Sequence, residues 1–440
     1  MRSKKLAMAA ATIMAALTLG ACSGSSATDE AARTEAADAP VGGTIEYSWW
    51  GGPGRNDRTQ AVIDLYQEGH PEVTVIGTTG EFNSYWQKAS VQAAGKNLPC
   101  VPQMQNRTIA DYSERRALLP LDDLVKSGAI DTSNIKDNVL DNGRGDDGRL
   151  YMIPYGVAFE SLMVNVTQAK TLGLELPPEG YDWDWMAQWL KSASAKTGTP
   201  VTSLIGGRVN EFESWVRSHG DNLFQDGKLG FSKERLADYW EYSEDLRRSG
   251  ASFSADKASE TTGQAVEQSD FAKGSLMTYF WPANALGTVQ ATIAKAQPGT
   301  EIRAFPQPKG EAGFGNAFWA SGLSISANCT NVATAASFIN FFINDPTSSL
   351  AYASDNGANV HTKNVEALLS SPDITDQKKS ELELYKYLAD EGVRPAIYLQ
   401  GYASIFNDML NRHYQRIAFG ENTIGQGVDE FFSEANGVLG

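Results

Sequence analysis

From Thr44 onward the chain alternates between two hydrophobic periods, and that alternation restricts it to a sheet layered with helices. Residues 44–49 read as a strand, Val62, Leu65 and Tyr66 recur at helical spacing, and residues 73–76 read as a second strand. This is the βαβ rhythm of a parallel sheet covered by helices. Further helices are legible downstream. Met186, Trp189, Leu190 and Ala193 form one apolar stripe. Leu236, Tyr239, Trp240, Ser243 and Leu246 form another, opened by Ser232 and stopped by Gly250. Thr330 or Asn331 is placed to cap a helix carrying Ala335, Ile339, Phe342 and Ile343, which Pro346 should end.

The first 22 residues set the compartment. A basic start (Arg2, Lys4, Lys5) leads into an apolar run over residues 6–19 and then Leu19-Gly20-Ala21-Cys22. This reads as a secretory signal, residues 1–21, ending in a lipobox whose cysteine takes the lipid. The alternative is an uncleaved membrane anchor, but the run is short for a full span. Cys22 then becomes the N-terminus of an extracytoplasmic protein held to the cell membrane by its acyl chains. Residues 22–42 are rich in Ala, Ser, Thr and acid without periodicity, the composition of a flexible tether. Taking 21 residues from 440 leaves 419, too many for one ordinary core and suited to two lobes.

The formal charge is -16, and loss of Arg2, Lys4 and Lys5 with the signal takes it to -19. So acidic a surface repels phosphate backbones and anionic headgroups, which argues against nucleic acid as a partner and leaves the lipid as the membrane contact. The chain has three cysteines. With Cys22 lipidated, Cys100 and Cys329 remain, either as a bridged pair in an oxidising compartment or as two buried thiols.

Catalytic motifs are missing from the sequence. It has no Gly-x-Ser-x-Gly elbow, no His-Glu-x-x-His helix, no phosphate-binding Gly-x-x-x-x-Gly-Lys loop, and only four scattered histidines. The run over residues 141–148 (DNGRGDDG) lacks the ligand pattern and terminal glutamate of a calcium loop and reads as a solvated turn. Neither a metal nor a cofactor is expected. No spacing among the 53 acidic residues singles out an acid and a nucleophile for glycoside hydrolysis.

Tryptophan placement is the positive signal. Trp49 and Trp50 close the first strand and run into Gly51-Gly52-Pro53-Gly54. Ligands of open parallel sheets settle outside the carboxyl ends of strands, so this junction is a candidate site. An indole can cover the C–H face of a sugar while amides, carboxylates and arginine bond its hydroxyls. Phe280-Trp281-Pro282-Ala283-Asn284 repeats the combination, and Trp319 beside Phe318 is a third instance. Trp189 and Trp240 sit on helical stripes and are assigned to the core.

At this point the chain resembles a known family, the carbohydrate-type extracellular solute-binding proteins (family 1) of ABC importers, from about Thr44 to the C-terminus. The resemblance is carried by TIEYSWWGG (44–52) with Arg55 and Thr59, Tyr85-Trp86-Gln87-Lys88, QAAGKNLP (92–99) and ALLPLDDL (117–124). DGRLYMIPYG (147–156), AKGSLM (272–277) and the helix over residues 338–346 continue it in order. It implies a two-lobed α/β fold, periplasmic-binding-protein-like of type II and similar to maltose-binding protein, with a hinge and a ligand cleft between lobes. Lobe one would comprise residues 43–155 and 318–358, lobe two 156–317 and 359–440, with crossovers at 154–156, 314–319 and 357–360. The resemblance also sets residues 322–326 antiparallel to 101–105, which brings Cys100 and Cys329 side by side and implies a disulfide.

The site residues it implies are Trp49, Trp50, Arg55, Phe82, Asn83, Gln105, Asn106 and Tyr155 from lobe one and the hinge. From lobe two come Glu160, Glu211, Phe280, Trp281 and Asn284. Trp319 and Asn356 would face the cleft from crossovers, and Tyr398 or Tyr402 would reach in from the C-terminal part. The acidic members are alternatively rim residues exposed to water. The function implied is a lipid-anchored, monomeric receptor that binds a carbohydrate, an oligosaccharide, and delivers it to an ABC permease without chemistry. The alternatives are a secreted glycan-active enzyme, or the same fold taking a peptide, amino acid or polyamine.

Overall fold

The structure is a computed structural model and describes residues 39–264, 266–399 and 401–440. The expected signal, Cys22 and most of the expected tether lie outside these residues. Nine strands carry the architecture: β1 (Gly43–Trp50), β2 (Val73–Gly80), β3 (Val101–Gln105), β4 (Ile153–Ala158), β5 (Glu160–Asn165), β6 (Thr278–Pro282), β7 (Ile302–Phe305), β8 (Trp319–Leu323) and β9 (Ala358–Asn359). Six form one sheet in the order β9-β4-β8-β3-β1-β2, and three form a second in the order β6-β5-β7.

The βαβ rhythm at the start of the chain folds as expected. β1 and β2 pair in parallel from Gly43 opposite Val73 to Trp50 opposite Gly80. The helix Pro53–Gly69 crosses between them and buries Thr59, Val62, Ile63 and Tyr66. β8 returns antiparallel to both β3 and β4. The second sheet departs from the parallel expectation, because β5 pairs antiparallel with β6 and β7. All six residues of β5 are buried, as befits a strand with a neighbour on each side.

The disulfide between Cys100 and Cys329 is present, with Cα atoms 4.6 Å apart. Pairing of β3 with β8 brings it about. Ser321 lies opposite Gln105 and Leu323 opposite Gln103, and past the strand end Ser326 N–H donates to the Cys100 carbonyl at 3.0 Å. Two apolar side chains of the expected helices show how stripe becomes core: Trp189 and Trp240 are both buried in the second core. The Ser232 side chain caps the helix Lys233–Arg248 by accepting from Arg235 N–H. Pro346 does more than stop the helix Val332–Asn344, since it stands in the first turn of a new helix, Pro346–Tyr352, where its fixed φ fits and its missing N–H costs nothing.

Two expectations need correction. The turn at 141–148 is not solvated throughout. Asn142 is buried, its amide donates to the carbonyls of Asn138 and Val139, and its Oδ1 accepts from Asn106. Gly143 has no room for a side chain, because a Cβ would meet the Met152 carbonyl oxygen at 1.9 Å. The second correction concerns the C-terminal third. β9 joins the first sheet beside β4, and Val365, Leu368, Leu382, Tyr385 and Leu388 then pack into the first core. Core membership passes to the second lobe only between Val393 and Ala396, later than residue 358. The helices Thr362–Ser370 and Asp376–Asp390 carry apolar faces that the first sheet covers, which a boundary read from the chain alone overlooked.

Candidate binding site at the hinge side of the second lobe

β5 begins two residues after β4 ends, so its first residue, Glu160, stands at the crossover between the lobes. Pairing sets Pro282 opposite Glu160 and Trp281 opposite Ser161. The helix Val209–Ser218 presents its first turn to the same place, with Arg208 at its N-cap and Asn210 and Glu211 following. Together with residues of the helix Ala255–Thr261 and with Asn407, Asn411 and Tyr414, they wall a cavity of ≈ 470 Å³, within the range of about 300–1,000 Å³ common for small-molecule sites.

The polar wall is built around one guanidinium. Arg208 Nε donates to Glu211 Oε1 at 2.8 Å, Nη2 donates to the Phe280 carbonyl at 2.8 Å, and the same Nη2 lies 3.8 Å from Glu160 Oε1. Its planar group also lies over the Tyr279 ring, 4.9 Å from the centroid. Asn210 Nδ2 donates to Glu160 Oε2 at 2.8 Å. Glu160 and Glu211 are 2% and 0% exposed, and Glu160 Oε1 and Glu211 Oε2 have no hydrogen-bond partner in the protein. Burial, reinforced by the charge of Glu211, pushes the Glu160 carboxyl up to about 8, and burial raises Glu211 as well despite Arg208. The alternative reading, exposure of these acids on a rim, is therefore wrong for both. Trp281 is half-buried, with its ring 4.8 Å from Tyr279, and supplies an aromatic wall.

A second group of expected residues meets between the lobes. Trp319, Tyr398 and Tyr402 surround Arg107, which stands on the first-lobe helix Asn106–Glu114. Asn106 is buried beside it and donates to the Phe318 carbonyl at 2.9 Å. Gln105 precedes that helix, half-buried, in register with Ser321 of β8.

The remaining expected residues lie elsewhere. Trp49 and Trp50, 4% and 6% exposed, are part of the first core and share no crevice with Trp281. Trp49 stacks near Tyr47 at 5.0 Å and its Nε1 donates to Asn56 at 2.9 Å, so its polar edge is satisfied. Trp50 is enclosed by Phe82, Tyr85 and Trp86 at 5.8, 5.4 and 5.3 Å. Aromatic partners from the following helix, Phe82–Ala94, fill the strand end that an open sheet would leave for a ligand. Arg55 is tied to Asp355 at 2.7 Å. Tyr155 packs against Phe342 and Tyr352, and Asn356 donates to its hydroxyl at 3.0 Å. Phe280 is core, since it faces away from Trp281 on β6. Phe82 is 46% exposed, Asn284 is exposed, and the Asn83 side chain lies outside the described residues. Sequence reading missed Arg107, Arg208 and Asn210. The Arg208–Glu211 spacing of three at a helix start was the available signal for one of them.

Two α/β lobes with separate cores, joined by repeated crossovers, define the two-lobed binding-protein fold of the maltose-binding-protein type, and the cavity lies on the hinge side of the second lobe. The chain belongs to the bacterial extracellular solute-binding proteins, whose family model matches residues 61–380. It is similar to an extracellular solute-binding protein family 1 structure from Alicyclobacillus acidocaldarius (23% identity, 91% of this chain and 100% of that one, TM-score 0.75). It is also similar to the GacH receptor of Streptomyces glaucescens, solved unliganded and with acarbose (18%, 91% and 99%, TM-score 0.70). A periplasmic oligogalacturonide binding protein from Yersinia enterocolitica matches at 18% identity over 90% of this chain and 98% of that one, with a TM-score of 0.72. Among the described residues no helix is long and apolar enough to cross a membrane.

Proposed function

We propose that this protein is a lipid-anchored receptor that captures a carbohydrate, an oligosaccharide, in the cavity beside Glu160 and passes it to the permease of an ABC importer. The observation that carries this reading is the pair of buried, unpartnered acceptors, Glu160 Oε1 and Glu211 Oε2, on the wall of a cavity that also presents Trp281. A buried polar atom without a partner is costly, and a sugar hydroxyl, which both donates and accepts, satisfies such an atom while an indole covers the ring face. Solved relatives of the same fold carry acarbose or are described as binding oligogalacturonide. Tethering through Cys22 rests on the lipobox, and delivery to a permease on family membership. A polyamine is disfavoured because Arg208 already occupies the space between the two carboxylates.

The test is a thermal-shift panel of maltotriose, acarbose, chitobiose, digalacturonate and spermine. A rise in melting temperature with a glycan that is recovered unchanged supports the reading, and the rise should vanish in Glu211→Gln or Trp281→Ala. A response to spermine alone, or to no glycan, rejects it. One observation favours a glycan-active enzyme as second reading: two buried carboxyls share one cavity wall, and Glu160, raised to about 8, holds the proton a general acid needs. Cleavage of any glycan in the panel would establish that reading instead.

A further inference from the structure

Arg107 opens the first-lobe helix Asn106–Glu114, whose Ile109 and Tyr112 side chains are buried in the first core. Its own guanidinium leaves that lobe. It lies 4.4 Å from the Trp319 ring, 5.5 Å from Tyr398 and 5.4 Å from Tyr402. The two tyrosines belong to the second core, and Trp319 packs against it. Tyr398 is held by the Glu213 carboxylate, which accepts from its hydroxyl at 2.9 Å. Arg107 Nη2 also donates to Asn210 Oδ1 at 3.4 Å, and Asn210 in turn donates to Glu160, so the bridge ends in the cavity wall. Arg107 Nε, Trp319 Nε1 and the Tyr402 hydroxyl are buried without partners in the protein.

Three aromatic rings backed by a carboxylate form the kind of cage that receives a cationic group. Here Tyr398 and Tyr402 are on the second lobe, Trp319 reaches them from the end of β8 in the first sheet, and the occupant is a side chain of the first lobe. We propose that Arg107 is an internal clamp, a built-in surrogate ligand that holds the lobes together while the cavity is empty. The inference rests on the reading that the lobes close over a ligand. A contact made only in the shut form biases a two-state closure, whether the contact comes from a sugar or from the protein itself. Because Asn210 bonds both Arg107 and Glu160, the clamp and the cavity wall share a residue, and each must influence the other to the same degree. The planar guanidinium suits this place, since it stacks on rings while its N–H groups reach amides at its edge.

Small-angle X-ray scattering of the ligand-free protein tests the clamp without any glycan. Arg107→Ala should raise the radius of gyration, as the ratio of closed to open forms falls by about thirtyfold, the size of one desolvated cation–π contact. Arg107→Lys, which keeps the charge but not the planar face, should give a smaller rise. Far-UV circular dichroism of each variant should match the parent, so that opening is not confused with unfolding. If Arg107→Ala fails to fold, Tyr402→Leu removes a ring of the second lobe and carries the same expectation. A radius of gyration unchanged in the folded variants overturns the clamp. A glycan panel without response overturns the proposed function instead, and the two failures are read from separate experiments.

Discussion

At the end of β1, Trp49 and Trp50 lie against Tyr47, Tyr85 and Trp86 in the first core, whereas at the end of β6, Trp281 lies against Tyr279 and faces a cavity of ≈ 470 Å³. Both are tryptophans at strand ends beside glycine or proline. What separates them is open space beside buried acids. Around β1 the Trp49 Nε1 finds Asn56 and the Tyr85 hydroxyl finds the Gln103 carbonyl at 2.6 Å. Around β6 two carboxylate oxygens are left over. Trp86 Nε1 in the first cluster is also without a partner, but there the rings close on one another, whereas at β6 unmet carboxylate oxygens stand on the wall of an open cavity and are fitted to a ligand.

The comparison can be broken by mutation. Trp50→Ala, which empties a dry and closed cluster, should cost about 3–5 kcal/mol of unfolding free energy in urea titration while any glycan-induced rise in melting temperature persists. Loss of that rise with unchanged stability would reverse the assignment of the two regions. The first lobe is also the cross-linked one, with Cys100 and Cys329 separated by 229 positions in the chain. Replacing both cysteines by serine should cost about 2–5 kcal/mol, read by the same titration, because closing so long a loop restricts the unfolded chain.

For the second region the expected signature is a pH dependence. An acid whose native pKa is raised keeps its proton in the fold after the unfolded chain has lost it. Glu160 therefore makes stability fall as pH rises from the unfolded value of 4.5 toward about 8, and Glu211 adds in the same direction. The slope for one such proton is roughly 1.4 kcal/mol per pH unit. Urea titrations at pH 5, 6, 7 and 8 should show this slope reduced in Glu160→Gln; equal slopes in both proteins would place Glu160 in contact with water. The smallest stability effect is expected for Trp281→Ala, about 1 kcal/mol, since the ring is half-buried. Its effect on glycan-induced stabilisation should be complete.

Much of the frame was legible in the chain. Period and capping located the helices 183–197 and 233–248, and the order of weak motifs from Thr44 to the C-terminus indicated two lobes and the pairing of Cys100 with Cys329. Less of the site was legible. Glu160, Glu211 and Trp281 come together at the cavity, and Trp319, Tyr398 and Tyr402 around Arg107, but Trp49, Trp50, Tyr155 and Phe280 are core. Local sequence places a tryptophan at a strand end; it does not say whether a neighbouring helix carries Phe82, Tyr85 and Trp86 to cover it.

What the sequence by itself determined was periodic and local: alternation of strand and helix, turns at glycine and proline, and an N-terminal segment with the marks of export. Those depend on residues within a few positions of one another, so one dimension suffices to read them. The tertiary structure alone decided that residues 365–393 join the first core, that Arg208 stands between two acids, and that Arg107 reaches from one lobe to tyrosines on the other. Each depends on side chains far apart in the chain meeting where water is excluded, and there burial and unmet hydrogen bonds, rather than residue type, assign the role.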